Sequence, residues 1–172
     1  QAHDTFFVVA HLHTVLIGGA VFPLLAGLYY YYPLVNGRLL SDRLGRVAFG
    51  LVFTGFNATF MPMHVLGLLG MPRRVFTYQT GLGWDTLNLV ATVGAMVLAA
   101  GFAVVAWDVV RPSRTKARSP RNPWRAGTLE WLPPLPNPSW GMRTIPEIDA
   151  RYPLWDQPGL VEAYDAGRFF LP

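Results

Sequence analysis

His3-Asp4-Thr5-Phe6-Phe7-Val8-Val9-Ala10-His11-Leu12-His13-Thr14-Val15 sets two histidines, one leucine apart, at the head of a long apolar run. Residues 5–33, 29 in all, include no Asp, Glu, Lys or Arg. About 20 apolar residues suffice for a helix to cross a bilayer, so the run predicts a membrane span. Imidazole nitrogens inside a span find no partner in lipid and need one from protein or ligand. The two histidines are therefore the first candidates for function.

Two more uncharged runs follow, residues 47–72 (26) and 86–107 (22). Together they predict an all-α membrane protein with three transmembrane helices, near 4–33, 43–69 and 84–110, in a membrane part covering 1–110. Pro23 and Pro62 each remove a helix hydrogen bond, so bends are expected there. Tyr29 to Tyr32 and Trp107 end their spans as aromatic belts. Ala91, Gly94, Ala95, Ala99, Ala100 and Gly101 suit close helix packing. Charged residues make up 14% of the chain, against about 25% in soluble domains. The chain has no cysteine, so disulfides, thiolate metal sites and covalent CxxCH haem attachment are excluded. It begins at Gln1 with no cleavable signal pattern before the first span, which reads as a fragment of a longer chain or a processed one.

Charge sets the expected topology. Residues 34–46 hold Arg38, Arg43 and Arg46 against one acid, Asp42; residues 111–125 hold Arg111, Arg114, Lys116, Arg118, Arg121 and Arg125 against none. Two crossings separate these segments, so they share a side, and the positive-inside rule makes that side cytoplasmic. The N-terminus and the 70–83 loop are then outside. The net charge of +4 is accounted for by topology, with no nucleic acid implied. Residues 111–172 form a Pro-rich cytoplasmic tail, carrying Pro133, Pro134, Pro136, Pro138, Pro146, Pro153, Pro158 and Pro172. Prolines at that density predict an extended chain. Trp124, Trp131, Trp140, Tyr152, Trp155 and Tyr164 predict that it lies against a protein surface.

Each helical residue turns about 100°, so His11 and His13 lie about 200° apart. One metal on one helix would need i, i+4 spacing. His-x-His on a helix instead serves two centres, with the helix as a wall between them, and imidazole is a common axial ligand to haem iron. Two other readings stand beside this one. On a strand both rings would share a face and could hold zinc, but strands run to about 5–6 residues, far short of this run. Alternatively, both rings simply donate to backbone carbonyls of adjacent helices.

His3 and Asp4, adjacent at the outer end, offer two ligands of a magnesium or manganese site that another chain would complete; Asp4 alone also reads as a helix cap. Arg73 and Arg74 share the outer level. Paired arginines there would clamp haem propionates through charge-assisted bonds, or snorkel to lipid phosphate. His64 reads as a histidine bonding carbonyls freed by Pro62. Asn57 and Asn88 read as interhelical hydrogen-bonding residues. No Ser/His/Asp triad, phosphate-binding Gly loop or nucleic-acid module is present.

The stretch His3 to His13, with Asn57 through His64, Gly67-Leu68-Leu69-Gly70-Met71-Pro72-Arg73-Arg74 and Asn122-Pro123-Trp124-Arg125-Ala126-Gly127-Thr128-Leu129-Glu130-Trp131, resembles the C-terminal part of subunit I of haem–copper oxidases. The resemblance covers nearly the whole chain and leans to the bacterial cytochrome c oxidase, aa3-type branch. It implies that the three spans are the last three of a twelve-helix core in the bacterial plasma membrane. By position, His11 would be the proximal ligand of the high-spin haem a3 and His13 an axial ligand of the low-spin haem a. His3 and Asp4 would contribute to a magnesium or manganese site shared with subunit II, and Arg73 and Arg74 would pair with propionates. The copper B ligands would lie outside this segment. Many relatives have Tyr at Phe6 and Phe7 and Phe-His-Tyr at Leu12-His13-Thr14; the ligand positions survive these changes.

The implied activity is reduction of oxygen to water with proton pumping, using electrons from cytochrome c, in concert with the remaining helices of subunit I and with subunits II and III. The segment alone is expected to be inactive. Quinol as donor is the alternative within the superfamily. A non-enzymatic membrane module with structural histidines is the alternative outside it.

Overall fold

The computed structural model describes residues 2–111, 113–138, 141–142 and 145–167; Trp140 and Pro172 lie outside them. Among the described residues three helices are long and apolar enough to cross a membrane: α1, Phe6–Asn36; α2, Asp42–Leu68; and α3, Asp85–Val110. The tail adds two 3-10 turns, Ser113–Thr115 and Leu129–Trp131, and two short helices, α4 (Pro153–Asp156) and α5 (Leu160–Asp165).

Local chemistry sets the helix ends. Thr5 caps α1, its Oγ1 accepting from the Phe7 amide at 3.3 Å while donating to the Ala2 carbonyl at 2.7 Å. Asp4, the residue expected as a cap, is not one. Ser41 caps α2 by accepting from the Leu44 amide at 3.3 Å, satisfying a donor that a helix start leaves unpaired. At the other end of α2, Gly70 takes a left-handed φ of 88°. The Met71 amide there donates back to the Leu66 carbonyl at 3.0 Å, closing the helix with a Schellman bond. α1 runs past Pro33, the end read from sequence, to Asn36. A proline deletes one helix bond without forbidding the next turn; Gly37, at φ 62°, is what stops the helix.

The bend expected at Pro23 is preceded by a change of helix type. Residues Ile17–Val21 form a π turn, with the Phe22 amide reaching back to the Ile17 carbonyl. Pro23 offers no amide to Gly19 and its ring crowds that carbonyl, so the wider turn accommodates both effects.

The chain divides into two compact units, residues 1–28 with 41–111, and residues 29–40 with 112–172. In the first, α1 and α3 pack on α2. Its core joins Ala10 of α1, Val52, Phe56, Phe60 and Met63 of α2, and Ala91 and Leu98 of α3. Small residues let the α2 and α3 backbones touch: a Cβ at Gly94 would lie 2.6 Å from the Ala58 carbonyl carbon and the Thr59 amide nitrogen, and one at Gly55 would overlap Leu98. Asp108 is a fully buried charged group, at 0% exposure. Its carboxylate accepts from the Ser41 amide at 2.9 Å and from Arg111 Nε at 2.7 Å.

In the second unit the tail folds onto the end of α1. Leu39 donates to the Ala117 carbonyl and Ser119 to the Gly37 carbonyl, both at 3.0 Å. The two basic connections therefore meet at one end, as the parity of three spans requires. Trp131 and Leu132 are fully buried, and Trp131 Nε1 donates to the Tyr30 hydroxyl at 2.9 Å. Lys116, almost fully buried, donates to the Tyr32 hydroxyl at 2.7 Å. The tyrosines expected to form a lipid-facing belt thus include two that hydrogen-bond to the protein's own tail.

Candidate functional site

The N-terminal half of α1 carries the candidate histidines, and Ala10 orients them. Ala10 is fully buried, so it marks the side of α1 that meets the core. At about 100° per residue, His11 stands about 100° to one side of Ala10 and His13 about 60° to the other. Both side chains are exposed within this chain, and they meet different neighbours. The His11 ring stacks on Phe7, one turn earlier in α1, with centroids 6.3 Å apart and planes 12° apart. The His13 ring stacks on Phe60 of α2 at 5.1 Å and 13°.

Hydrogen bonding sets the His13 tautomer. Its Nδ1 lies 2.7 Å from the Val9 carbonyl. A carbonyl only accepts, so Nδ1 carries the proton and Nε2 keeps its lone pair. Metal-bound histidines are held in this way, with the second ring nitrogen donating to a carbonyl or carboxylate. His11 makes no hydrogen bond among the described residues, so both its nitrogens are open to a ligand. The donor chemistry of the two rings fits axial ligation of two separate groups. The third reading, donation to carbonyls of neighbouring helices, meets a different arrangement: the His13 acceptor is in its own helix.

At the head of α1, residues 4–6 pair with the segment after α2. Phe6 donates to the Met71 carbonyl at 2.8 Å and Arg73 to the Asp4 carbonyl at 3.0 Å. The pairing brings three of the four outer candidates together. The Arg73 guanidinium forms an ion pair with the Asp4 carboxylate, and His3 Nε2 lies 3.1 Å from Asp4 Oδ2. Arg74, left-handed at φ 65°, is exposed and shares none of these contacts. Arg73 thus finds an anion within the chain itself, the Asp4 carboxylate. Among the described residues no three of His, Cys, Asp and Glu gather as a metal-holding group, so His3 and Asp4 have no third such neighbour there.

The remaining polar positions sort differently from their sequence reading. His64 Nδ1 donates to the Phe60 carbonyl at 2.7 Å, four residues back; the carbonyl that Pro62 leaves without its helix donor is that of Ala58. Asn57 donates to Phe53 of its own helix at 2.8 Å and, among the described residues, joins no second helix. Asn88 of α3 donates to the hydroxyl of Tyr78, in the connecting loop, at 3.1 Å. The i−4 carbonyl satisfies a polar side chain at no packing cost, which is why it wins for Asn57. Phe7 and Phe60 were not singled out from sequence as partners of the histidines. Their one available signal was the Phe7–His11 spacing of four, which places two rings on adjacent turns.

Residues 1–97 match the family described as cytochrome c and quinol oxidase polypeptide I. The chain is 42% identical over 156 residues to cytochrome c oxidase subunit 1 of Bacillus subtilis, covering 90% of this chain and 25% of that protein. It is 47% identical over 131 residues to the subunit 1 of Synechocystis, covering 76% of this chain and 23% of that one. It is 38% identical over 155 residues to quinol oxidase subunit 1 of Bacillus subtilis, covering 88% of this chain and 24% of that protein. The chain therefore spans about a quarter of the length of the curated relatives it matches. A family match over more than half the chain, with the three apolar helices in place, shows that the chain belongs to the cytochrome c and quinol oxidase polypeptide I family.

Proposed function

We propose that this chain supplies one axial histidine to each of two haems in subunit I of a membrane terminal oxidase that reduces oxygen to water. The observation that carries the reading is the pair of imidazoles on either side of Ala10, with His13 Nε2 left free by the Nδ1 bond to Val9. Following the resemblance by position, His11 ligates the high-spin haem and His13 the low-spin haem, with copper B bound by residues outside this segment. The bound haems supply the redox change that carries electrons to oxygen. This chain's residues fix imidazole tautomer and ring direction, through Val9, Phe7 and Phe60, and hold charge at the outer end. There Arg73, paired with Asp4, and Arg74 would be the residues to hold haem propionates. His3 and Asp4 contribute two ligands to a magnesium or manganese site completed by subunit II. The N-terminus faces outward and the tail the bacterial cytoplasm, with subunits II and III and the other helices of subunit I as neighbours and protons translocated across the membrane.

Cytochrome c is the proposed electron donor, given the 42% and 47% identities to cytochrome c oxidase subunits. The 38% identity to a quinol oxidase subunit favours a second reading with quinol as donor. Oxygen uptake by the intact complex, with reduced cytochrome c or with quinol, separates the two.

The test of ligation is pyridine haemochrome quantification on the intact oxidase. His11→Ala and His13→Ala are each expected to lose one haem equivalent, with the loss appearing in the high-spin spectrum for the first and the low-spin spectrum for the second. Retention of both haems in both variants would overturn the assignment.

A further inference from the structure

Two aromatic rings and one backbone carbonyl connect the candidate ligands to α2. His64 donates from Nδ1 to the Phe60 carbonyl at 2.7 Å, which fixes the plane of its ring. That ring stands against Phe7, with centroids 5.0 Å apart and planes 86° apart. Such an edge-to-face contact is a preferred aromatic geometry. Phe7 in turn stacks on His11. Gly67 of α2 packs directly on the Phe7 backbone, so a Cβ at Gly67 would overlap the Phe7 amide and Cβ, which fixes where Phe7 stands against α2. His13 meets Phe60 through its ring, whereas His64 meets only the Phe60 backbone carbonyl, which the helix holds independently of that ring.

We propose that His64 is a positioning residue for His11 and not for His13, acting through the edge-to-face contact with Phe7. This rests on the assignment of His11 and His13 to two haems made above. The hydrogen bond to Phe60 holds the His64 ring, the His64 ring holds Phe7, and Phe7 limits rotation of the His11 imidazole. An imidazole whose plane is held by a stacked ring would present its nitrogen to a bound iron in one orientation, and loss of that support would alter the ligand bond. His64 is therefore selective for the high-spin centre even though it lies close to the ring that supports His13.

The experiment uses the intact oxidase with His64→Phe and His64→Leu. The readouts are the iron–imidazole stretching band of the reduced high-spin haem and the electron paramagnetic resonance g-values of the oxidised low-spin haem. Phe retains a ring without the Nδ1 donor, and Leu removes both. A shift or broadening of the stretching band is expected in both variants, larger for Leu, with the low-spin g-values unchanged. An unmoved band in both variants, or g-values that move as much as the band, would overturn the proposal. Phe7→Leu breaks the same link without touching α2 and is measured if the His64 variants do not assemble; it is expected to shift the same band. If wild type lacks haem, or keeps both haems in His11→Ala and His13→Ala, the ligand assignment itself has failed. If those variants behave as expected and the band does not move, only the role of His64 has failed.

Discussion

The seam between α2 and α3 yields the most direct quantitative test, a comparison of Gly94→Ala with Gly50→Ala. Both glycines lie inside long helices, α3 and α2, so each substitution gains about 1 kcal/mol of helix propensity. The propensity gains cancel in the comparison and leave packing as the difference. A Cβ at Gly50 meets nothing within 4 Å, whereas one at Gly94 lies 2.6 Å from the Ala58 carbonyl carbon and the Thr59 amide nitrogen. Ordinary contact begins near 3.4 Å, so α3 must retreat from α2 by roughly 0.8 Å locally, given that close-packed interiors do not absorb an extra methyl freely. Both obstructing atoms are backbone, so no side chain can swing aside. Forcing a methylene-sized group into a packed seam costs about 1–3 kcal/mol, and the retreat also opens the contacts at Gly55 and Gly101 on the same seam. Thermal unfolding of the intact protein in detergent, followed by circular dichroism, is expected to place Gly94→Ala clearly below Gly50→Ala, with Gly50→Ala at or above wild type. Equal melting of the two variants would show that the helices are not held at glycine contact, and the seam as described would be wrong.

Asp108 and Trp131 give further tests in the two units. Removing one partner of a buried ion pair costs about 3–5 kcal/mol, so Asp108→Ala is expected to lower the melting point of the intact protein markedly. Asp108→Asn, which keeps an acceptor for the Ser41 amide, is expected to fall between Ala and wild type; equal effects would assign the whole loss to charge. Trp131→Ala empties a fully buried site and leaves the Tyr30 hydroxyl without its indole donor, at a cost of about 3–5 kcal/mol. Limited proteolysis is expected to cleave the tail of that variant first, while the spans stay protected.

The three helices were legible because the uncharged runs exceed a bilayer width whatever they pack against, and ends such as Gly70 carry their own local signal. That His11 and His13 stand on different sides of α1 was legible from helix rotation alone. The second unit was harder to read. Proline density argued for an extended tail, yet Trp131 and Leu132 bury themselves fully and Lys116 reaches Tyr32, because residues 117–119 find the backbone groups left open after Gly37. Sequence spacing carries no sign of a contact spanning some eighty residues. Asn57 shows the opposite failure: a polar residue in a span suggested a neighbouring helix, and the carbonyl four residues back satisfied it locally.

The linear sequence determined that this protein is three apolar helices, that its histidines face two ways, and that its basic connections share an end. Each follows from hydrophobic length, helical pitch or charge, which are properties of a segment by itself. Tertiary structure alone decided that Arg73 finds Asp4, that Phe60 backs His13, and that His64 reaches His11 through Phe7. Those contacts depend on the register between α1 and α2. That register is set where Gly67 lets one backbone rest on the other, and a glycine does not announce which neighbour will come close to it.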